Sequence, residues 1–439
     1  MKIKPRKILI VSDSFRLHTG FGNVGRHVAD HFYYHARNPD GTSKYTIIYL
    51  GWYDNPKAPE KRPYKLYQTA RDDAGRPLLD DKWGQLSLSK IIEEEQPEIV
   101  IGVGDTWMVE HIKDLPNRKS FKFVFYMPID GSPTPEVMMA DQNKKVEWKK
   151  VADDADHVVA FSPFGMKSIN TMMKMNKCTT HIPHGVESNI FKPMNEDEKF
   201  EIRKKHFPML PEDAFLIGFF SRNQPRKAID KLIHAVSIFQ HEHEVPDRPV
   251  YLYMHCAFED KVGWNIPALA QHFKLKGNRM LQDRALQVGA GINQESLSDR
   301  YNCCDIMALP TRGEGWGLTI LESMSCGVPV LTSNYSAHPD YCKPGSLFIK
   351  TATMVSEPIT NIRRCIVSVN DFVSKIGKMY NNTNNVIDRL SKNGRRQAET
   401  YDWRLVGEKW EAFIDTVDTS NLKATHKVPT REILQVVTL

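Results

Sequence analysis

Short β-rich apolar runs alternate with helix-like stretches along the whole 439-residue chain. Lys7–Ser12, Tyr45–Leu50, Glu98–Val103, Phe121–Met127 and His157–Phe161 are predicted strands. Their unbroken apolar character suits strands covered on both faces, as in parallel sheets. Helical spacing lies between them; in Phe164–Met175, Met166, Ile169, Met172 and Met173 fall at helical intervals. The segment Gly185–Phe207 is polar and charged, contains Pro193, and predicts an inter-domain connection. A second alternating series follows. Phe215–Phe220 is a predicted strand, and Lys227–Gln240 carries Ile229, Leu232, Ile233, Val236 and Phe239 on one helical face. Val250–His255, Asp305–Leu309 and Val328–Thr332 continue the strands. Two such series predict two α/β domains, each built on a mostly parallel sheet, with the ligand site in the cleft outside the carboxyl ends of the strands. After Thr419 no core-facing pattern appears until the last residues.

Composition narrows the class. A chain of this length exceeds what one hydrophobic core usually supports. With 41% hydrophobic and 26% charged residues it reads as folded and globular. The net charge of +6 permits an anionic ligand such as a nucleotide, a nucleic acid or an acidic membrane surface, and demands none. Seven cysteines, at 178, 256, 303, 304, 326, 342 and 365, form no CxxC pair, so free thiols in a reducing cytoplasm are expected rather than a disulfide framework or a zinc site. The basic start MKIKPRKILIVSDS has too short an apolar run for a leader, and no stretch approaches the ~20 apolar residues of a membrane span.

Three segments carry candidate chemistry. Gly20, Phe21, Gly22 and Gly25 form a G-x-G-x-x-G spacing read as a flexible loop leading into a helix, whose backbone N–H groups suit an anion. As a dinucleotide fingerprint it lacks context: Asp13 to Thr19 separate it from its strand, and no acidic residue ends the next strand, Asp54 arriving late. In the second segment, Arg312-Gly-Glu314-Gly315-Trp316-Gly317-Leu318-Thr319-Ile-Leu-Glu322, glycines let the backbone approach a ligand and a new helix, Leu318 to Cys326, points its first N–H groups at it. Glu314 precedes the helix and Glu322 lies inside it, and carboxylates accept hydrogen bonds from vicinal sugar hydroxyls. In the third, Ser221-Arg222-Asn-Gln-Pro-Arg226-Lys227, Arg222 and Lys227 flank a tight loop suited to clamp a diphosphate.

Together EGWGLTILE, the preceding YNCCDIMALPT, the SRNQPRK loop and HIPHGVESNIFKP at 181–193 resemble glycosyltransferase family 4. The resemblance covers nearly the whole C-terminal half and, more weakly, the N-terminal glycine loop. It implies a GT-B fold, two Rossmann-like domains facing across a cleft, with a C-terminal helix (from Tyr401 through Val417) crossing back to the first domain. On that basis residues 1–190 form the acceptor-side domain, 191–400 the donor domain, and 401–439 the crossover helix and tail. The resemblance also implies a nucleoside-diphosphate sugar donor, retention of anomeric configuration and no required cofactor or metal. Arg222 and Lys227 would bind the diphosphate, Glu314 the sugar, Glu322 the ribose, and the amides of Trp316 to Thr319 the phosphates. Many members carry a histidine after the strand matching Phe121–Met127; here Asp130 is the candidate for contact with the sugar or acceptor, Asp105 also ends a strand facing the expected cleft, or either caps a following helix. The basic loop reads Arg226-Lys227-Ala228 where many members have lysine then glycine, so Arg226 also competes for the lysine's role.

The expected function is therefore transfer of a hexosyl or pentosyl group to a hydroxyl of a DNA base, glycan, protein or lipid, with a polyanionic acceptor such as modified DNA allowed by the positive charge. Two other classes compete: an NAD-dependent oxidoreductase using Gly20–Gly25, and a non-catalytic nucleic-acid-binding protein using the basic stretches at 2–7 and 144–150. Base and sugar readout is expected from the loop at 286–293 and the glycine cluster.

Overall fold

The computed structural model describes residues 4–55, 60–72, 75–133, 148–172, 177–282, 292–357, 362–427 and 436–437. Its strands are β1 (Arg6–Asp13), β2 (Tyr45–Trp52), β3 (Lys65–Gln68), β4 (Ile99–Val103), β5 (Lys122–Met127), β6 (Ser132–Pro133), β7 (His157–Ala160), β8 (Thr180–His181), β9 (Phe215–Phe220), β10 (Val250–His255), β11 (Met280–Gln282), β12 (Ile306–Leu309), β13 (Val330–Ser333), β14 (Ser346–Ile349), β15 (Thr351–Ser356), β16 (Ile362–Val367) and β17 (Val436–Val437).

The first sheet has the order β17-β3-β2-β1-β4-β5-β7-β8, parallel except for β17 at its edge. The second has the order β11-β10-β9-β12-β13-β14, all parallel. Both are doubly wound. The continuous apolar runs follow from burial on two faces. Ile8 and Ile10 of β1 enter one core, while Leu9 and Val11 enter the other. In each sheet the strand order reverses beside its first strand, at β1/β4 and at β9/β12, and that reversal opens the crevice in which ligands of such sheets bind.

The domains are tied together at several places. The connection after β8 and the chain's return pair locally, Val186 N–H donating to Tyr401 O (2.9 Å) and Trp403 N–H to Val186 O (3.1 Å). Gly185 is needed there, because a Cβ would stand 2.6 Å from the Trp403 ring. The helix Trp403–Asp415 then crosses back onto the first domain. Its Glu411 and Asp415 pair with Lys44 at 2.7 and 2.9 Å, and Trp410 packs edge-on to Tyr126. The third tie is a small antiparallel sheet, β15-β16-β6, in which Ser132 and Pro133 of the first domain pair with Arg363 and Ile362 of the second.

Two expectations need correction. Gly185–Phe207 is not connection throughout: Glu196–His206 is a helix opened by an Asn195/Glu198 capping box. It buries none of its residues, so no apolar stripe betrayed it; the Asn-x-x-Glu spacing was the available signal. The glycine cluster is not a flexible loop. The helix Gly20–Tyr34 begins at Gly20, capped by Thr19 Oγ1, and Gly22 and Gly25 are packing positions. A Cβ on Gly22 would lie 2.6 Å from Ser14 O, and one on Gly25 2.2 Å from Tyr49 Oη. The predicted helix at 164–175 forms as Pro163–Lys167 and continues in wider π-type turns to Met172, with 173–176 outside the described residues.

The tail after Val417 runs along the first domain. Lys423 N–H donates to Lys119 O (2.9 Å), and Asn117 Nδ2 donates to His426 O (2.8 Å). All seven cysteines are buried thiols. Among the described residues no helix is long and apolar enough to cross a membrane.

Candidate active site

The carboxyl ends of β1, β4 and β5 lead to Asp13, Asp105 and Asp130, and those of β9 and β12 to the loops 221–227 and 310–317. The two crevices face each other, and charged side chains from both domains meet between them.

Glu314 is the centre. It is 7% exposed, and both carboxylate oxygens are engaged: Lys227 Nζ lies 2.6 Å from Oε1, Thr311 Oγ1 donates to Oε1 (2.9 Å), and Arg226 Nη1 lies 2.8 Å from Oε2. Burial alone would raise its pKa, but Arg226 and then Lys227 override that and hold the carboxyl well below the usual range. Lys227, 9% exposed, is driven the other way: burial, opposed by Glu314 and reinforced by Arg226, pushes it down to about 8. Arg226 Nη1 also donates to Gly313 O (2.6 Å), and its Nε stands 3.6 Å from Asp130 Oδ2 across the cleft. Arg364, on β16, completes the bridge with its Nη2 2.8 Å from Asp130 Oδ1 and its Nε donating to Glu357 (2.7 Å).

Lys227, Glu314 and Asp130 are thus brought together, with Arg226 as the common link. Arg222 is not part of that cluster. Its exposed guanidinium pairs with Asp260 (3.0 Å) at the rim of a cavity of about 290 Å³ lined by Phe220, Tyr301, His255 and Thr319 among others. Arg364 was missed because it arrives on a hairpin whose sequence has no motif. Asp105 precedes the helix Thr106–Val109 without a side-chain cap bond, so the capping alternative does not hold for it; burial and then Asp130 push its pKa up to about 7.

The glycines on either side of Glu314 serve packing between domains. A Cβ on Gly313 would lie 2.0 Å from Asp130 O, and one on Gly315 3.3 Å from the Phe161 ring. Trp316 is a buried core residue stacked on Tyr341 at 4.2 Å. Gly317 has φ of +105°, a region that favours glycine, and caps the helix Leu318–Ser325. Thr319, in its first turn, reaches the cavity; Glu322, one turn further, accepts from Tyr301 Oη (2.8 Å), and burial pushes it up to about 7. In the first domain Gly20 has open space where a Cβ would stand, and Phe21 O accepts from Ser12 Oγ (3.3 Å). The expected readout loop lies outside the described residues at 286–291, as does the basic stretch at 144–147.

Two facing doubly wound sheets with a charged site at their switch points and a helix crossing back define the GT-B class of fold. Residues 199–397 match the family model described as glycosyl transferases group 1. Sequence relatives include the lipopolysaccharide core biosynthesis mannosyltransferase LpsB of Rhizobium meliloti (strain 1021), 27% identical over 47% of this chain and 54% of that protein. Another is the MMP alpha-(1->4)-mannosyltransferase of Mycolicibacterium hassiacum, 22% identical over 61% of this chain and 56% of that protein. The chain spans about half the length of these curated relatives. Among solved structures, sucrose-phosphate synthase from Thermosynechococcus elongatus superposes with a TM-score of 0.66 at 16% identity, covering 94% of this chain and 98% of that one. Anabaena HepE in complex with UDP and glucose superposes with a TM-score of 0.65 at 14% identity, covering 94% and 100%.

Proposed function

We propose that the chain is a retaining glycosyltransferase that moves a hexosyl or pentosyl group from a nucleoside-diphosphate sugar to a hydroxyl acceptor, with no metal required. The carrying observation is the buried Lys227–Glu314–Arg226 cluster beside the Leu318–Ser325 helix N-terminus at the cleft. When the bond from the anomeric carbon to the diphosphate breaks, negative charge grows on the leaving oxygens. Preorganised cations and helix amides in a site poor in water stabilise that charge, and such stabilisation commonly contributes most to the rate enhancement. Lys227 and Arg226 stand ready there, and Arg222 is close enough to the cavity rim to exchange Asp260 for a phosphate. Glu314, kept ionised, accepts hydrogen bonds from sugar hydroxyls, and Glu322 does so from the ribose.

The oxidoreductase reading finds no support in the first domain. Gly22 and Gly25 are filled against Ser14 and Tyr49, and Asp54 is buried in a pair with Arg16 (3.4 Å). The test is release of nucleoside diphosphate from UDP-, GDP- and ADP-sugars, with and without EDTA. EDTA-insensitive release from one donor supports the proposal; turnover of none, with reduction of NAD, refutes it. A steep fall in acceptor affinity with added salt would extend the reading to a polyanionic acceptor such as modified DNA, and salt insensitivity would remove that extension.

A further inference from the structure

We infer that Tyr341 is a positioning residue that aims the backbone N–H groups of Gly317 and Leu318 at the diphosphate of the donor, an inference that rests on the donor reading above. Tyr341 belongs to the short helix His338–Tyr341 behind the EGWG loop and is fully buried. Its ring lies almost parallel to Trp316, 14° apart, and its hydroxyl stands 3.0 Å from both Trp316 O and Gly317 O. One O–H therefore holds two consecutive carbonyls on the same side.

The geometry of the peptide bond does the rest. In a trans peptide the C=O and N–H point in opposite directions, and the described chain has no cis bonds. Drawing Trp316 C=O back to Tyr341 turns the Gly317 N–H forward, and drawing Gly317 C=O back does the same for Leu318 N–H. Two successive amides facing one way make an anion-binding concavity, and here it coincides with the positive end of a helix. Gly317 makes this possible with its φ of +105°. Among the described residues neither N–H has an acceptor.

The wall behind the loop supports the assignment. His338 is fully buried, and its Nε2, 3.5 Å from where a Gly317 Cβ would stand, has no partner among the described residues. Its Nδ1 faces Ser333 O (3.2 Å) and Thr332 Oγ1 (3.1 Å), and the Thr332 hydroxyl already donates to Leu309 O (2.7 Å). Nδ1 must therefore carry the proton, leaving Nε2 a bare lone pair. His338 offers the loop no donor, so the Trp316 carbonyl depends on Tyr341, while the Gly317 carbonyl also accepts from Ile320 N–H (3.1 Å) and Leu321 N–H (3.4 Å).

The experiment uses Tyr341→Phe, which keeps the ring on Trp316 and removes only the hydroxyl. UDP, GDP and ADP, and the corresponding nucleosides, are titrated into the unaltered and variant proteins, with amide resonances of Gly317 and Leu318 followed by NMR. The expected result is that the Kd of the bound nucleoside diphosphate rises about tenfold, of the order of a lost hydrogen bond to a charged group, while that of its nucleoside changes less than about twofold. The downfield shifts of the two amide protons on diphosphate binding shrink in the variant. Leu318→Pro deletes one N–H at the first helical position, where proline is tolerated, and lowers diphosphate affinity in the same selective way. Equal diphosphate affinity with and without the hydroxyl overturns the inference, as does equal loss for nucleoside and diphosphate. If the unaltered protein binds no nucleoside diphosphate, the donor reading itself falls.

Discussion

Lys227 Nζ lies 2.6 Å from Glu314 Oε1, and the two residues sit on loops following different strands, β9 and β12, at the switch point of the second sheet. The pair closes the buried charge of each on the other. The lysine is held where burial lowers its pKa to about 8, and the glutamate stays ionised because Arg226 also faces it.

Removing Lys227 should therefore damage chemistry more than folding. Lys227→Ala is expected to lower kcat by about 10²- to 10³-fold, the cost of losing one stabiliser of developing negative charge. Glu314 keeps Arg226 as a partner. Arg226→Ala should have a comparable effect, because it strips both Glu314 and Asp130 of a cation. Steady-state rates with the preferred donor check this. Rates within a few-fold of normal in both variants would remove leaving-group stabilisation from the mechanism.

The pH dependence has a definite sign. Lys227 carries its charge only when protonated, and its pKa in the ligand-free protein is about 8. kcat/KM reports ionisations of the free enzyme, so it should fall as pH rises through about 8. Lys227→Arg keeps its charge throughout this range and should abolish that alkaline limb even though its absolute rate is lower. A limb unchanged in the arginine variant would assign it to another group.

Glu322 predicts the opposite slope on the acid side. Burial holds it near 7, so below that pH it is protonated and loses acceptor capacity for a ribose diol. Affinity for the nucleoside diphosphate should weaken as pH falls through about 7, and Glu322→Gln should flatten that dependence. Calorimetric titration at pH 6 and 8 decides it, and equal slopes in both proteins would contradict the assignment.

How much of this was legible in the sequence depended on periodicity and on motif. The strands that run apolar on both faces, such as Ile8–Val11, pointed to two parallel sheets because short apolar runs alternating with helical stretches suit strands buried on both faces. The EGWG loop and the Arg-Lys pair marked two segments that the fold brings together at Glu314. Arg364 and the β6–β16 pairing were not legible, because contacts between segments some 230 residues apart leave no local pattern. Nor was the division of labour between Arg222 and Arg226, which lie four positions apart but turn to different partners, Asp260 and Glu314. Tyr341 lies in no motif, and only the placement of its hydroxyl against two carbonyls marks it.

Gly313 tests the inter-domain contact. A Cβ there would meet Asp130 O at 2.0 Å, backbone that cannot simply swing aside. Gly313→Ala should push the EGWG loop from the first domain and destabilise the fold by about 1–3 kcal/mol, the usual cost of overpacking, with loss of turnover. Thermal unfolding with parallel rates measures both, and unchanged values would mean the domains do not meet there in solution.

The most direct test of the central claim is a thermal-shift comparison of the unaltered protein and Lys227→Ala against UDP, GDP, ADP, their sugar conjugates, NAD and NADP, each with EDTA. A ligand that binds only the folded state raises Tm by mass action. The account predicts that one nucleoside diphosphate and its sugar raise Tm in EDTA, and that the rise is largely lost without Lys227. A rise with NAD alone, or one with a nucleoside diphosphate that ignores Lys227, would contradict it.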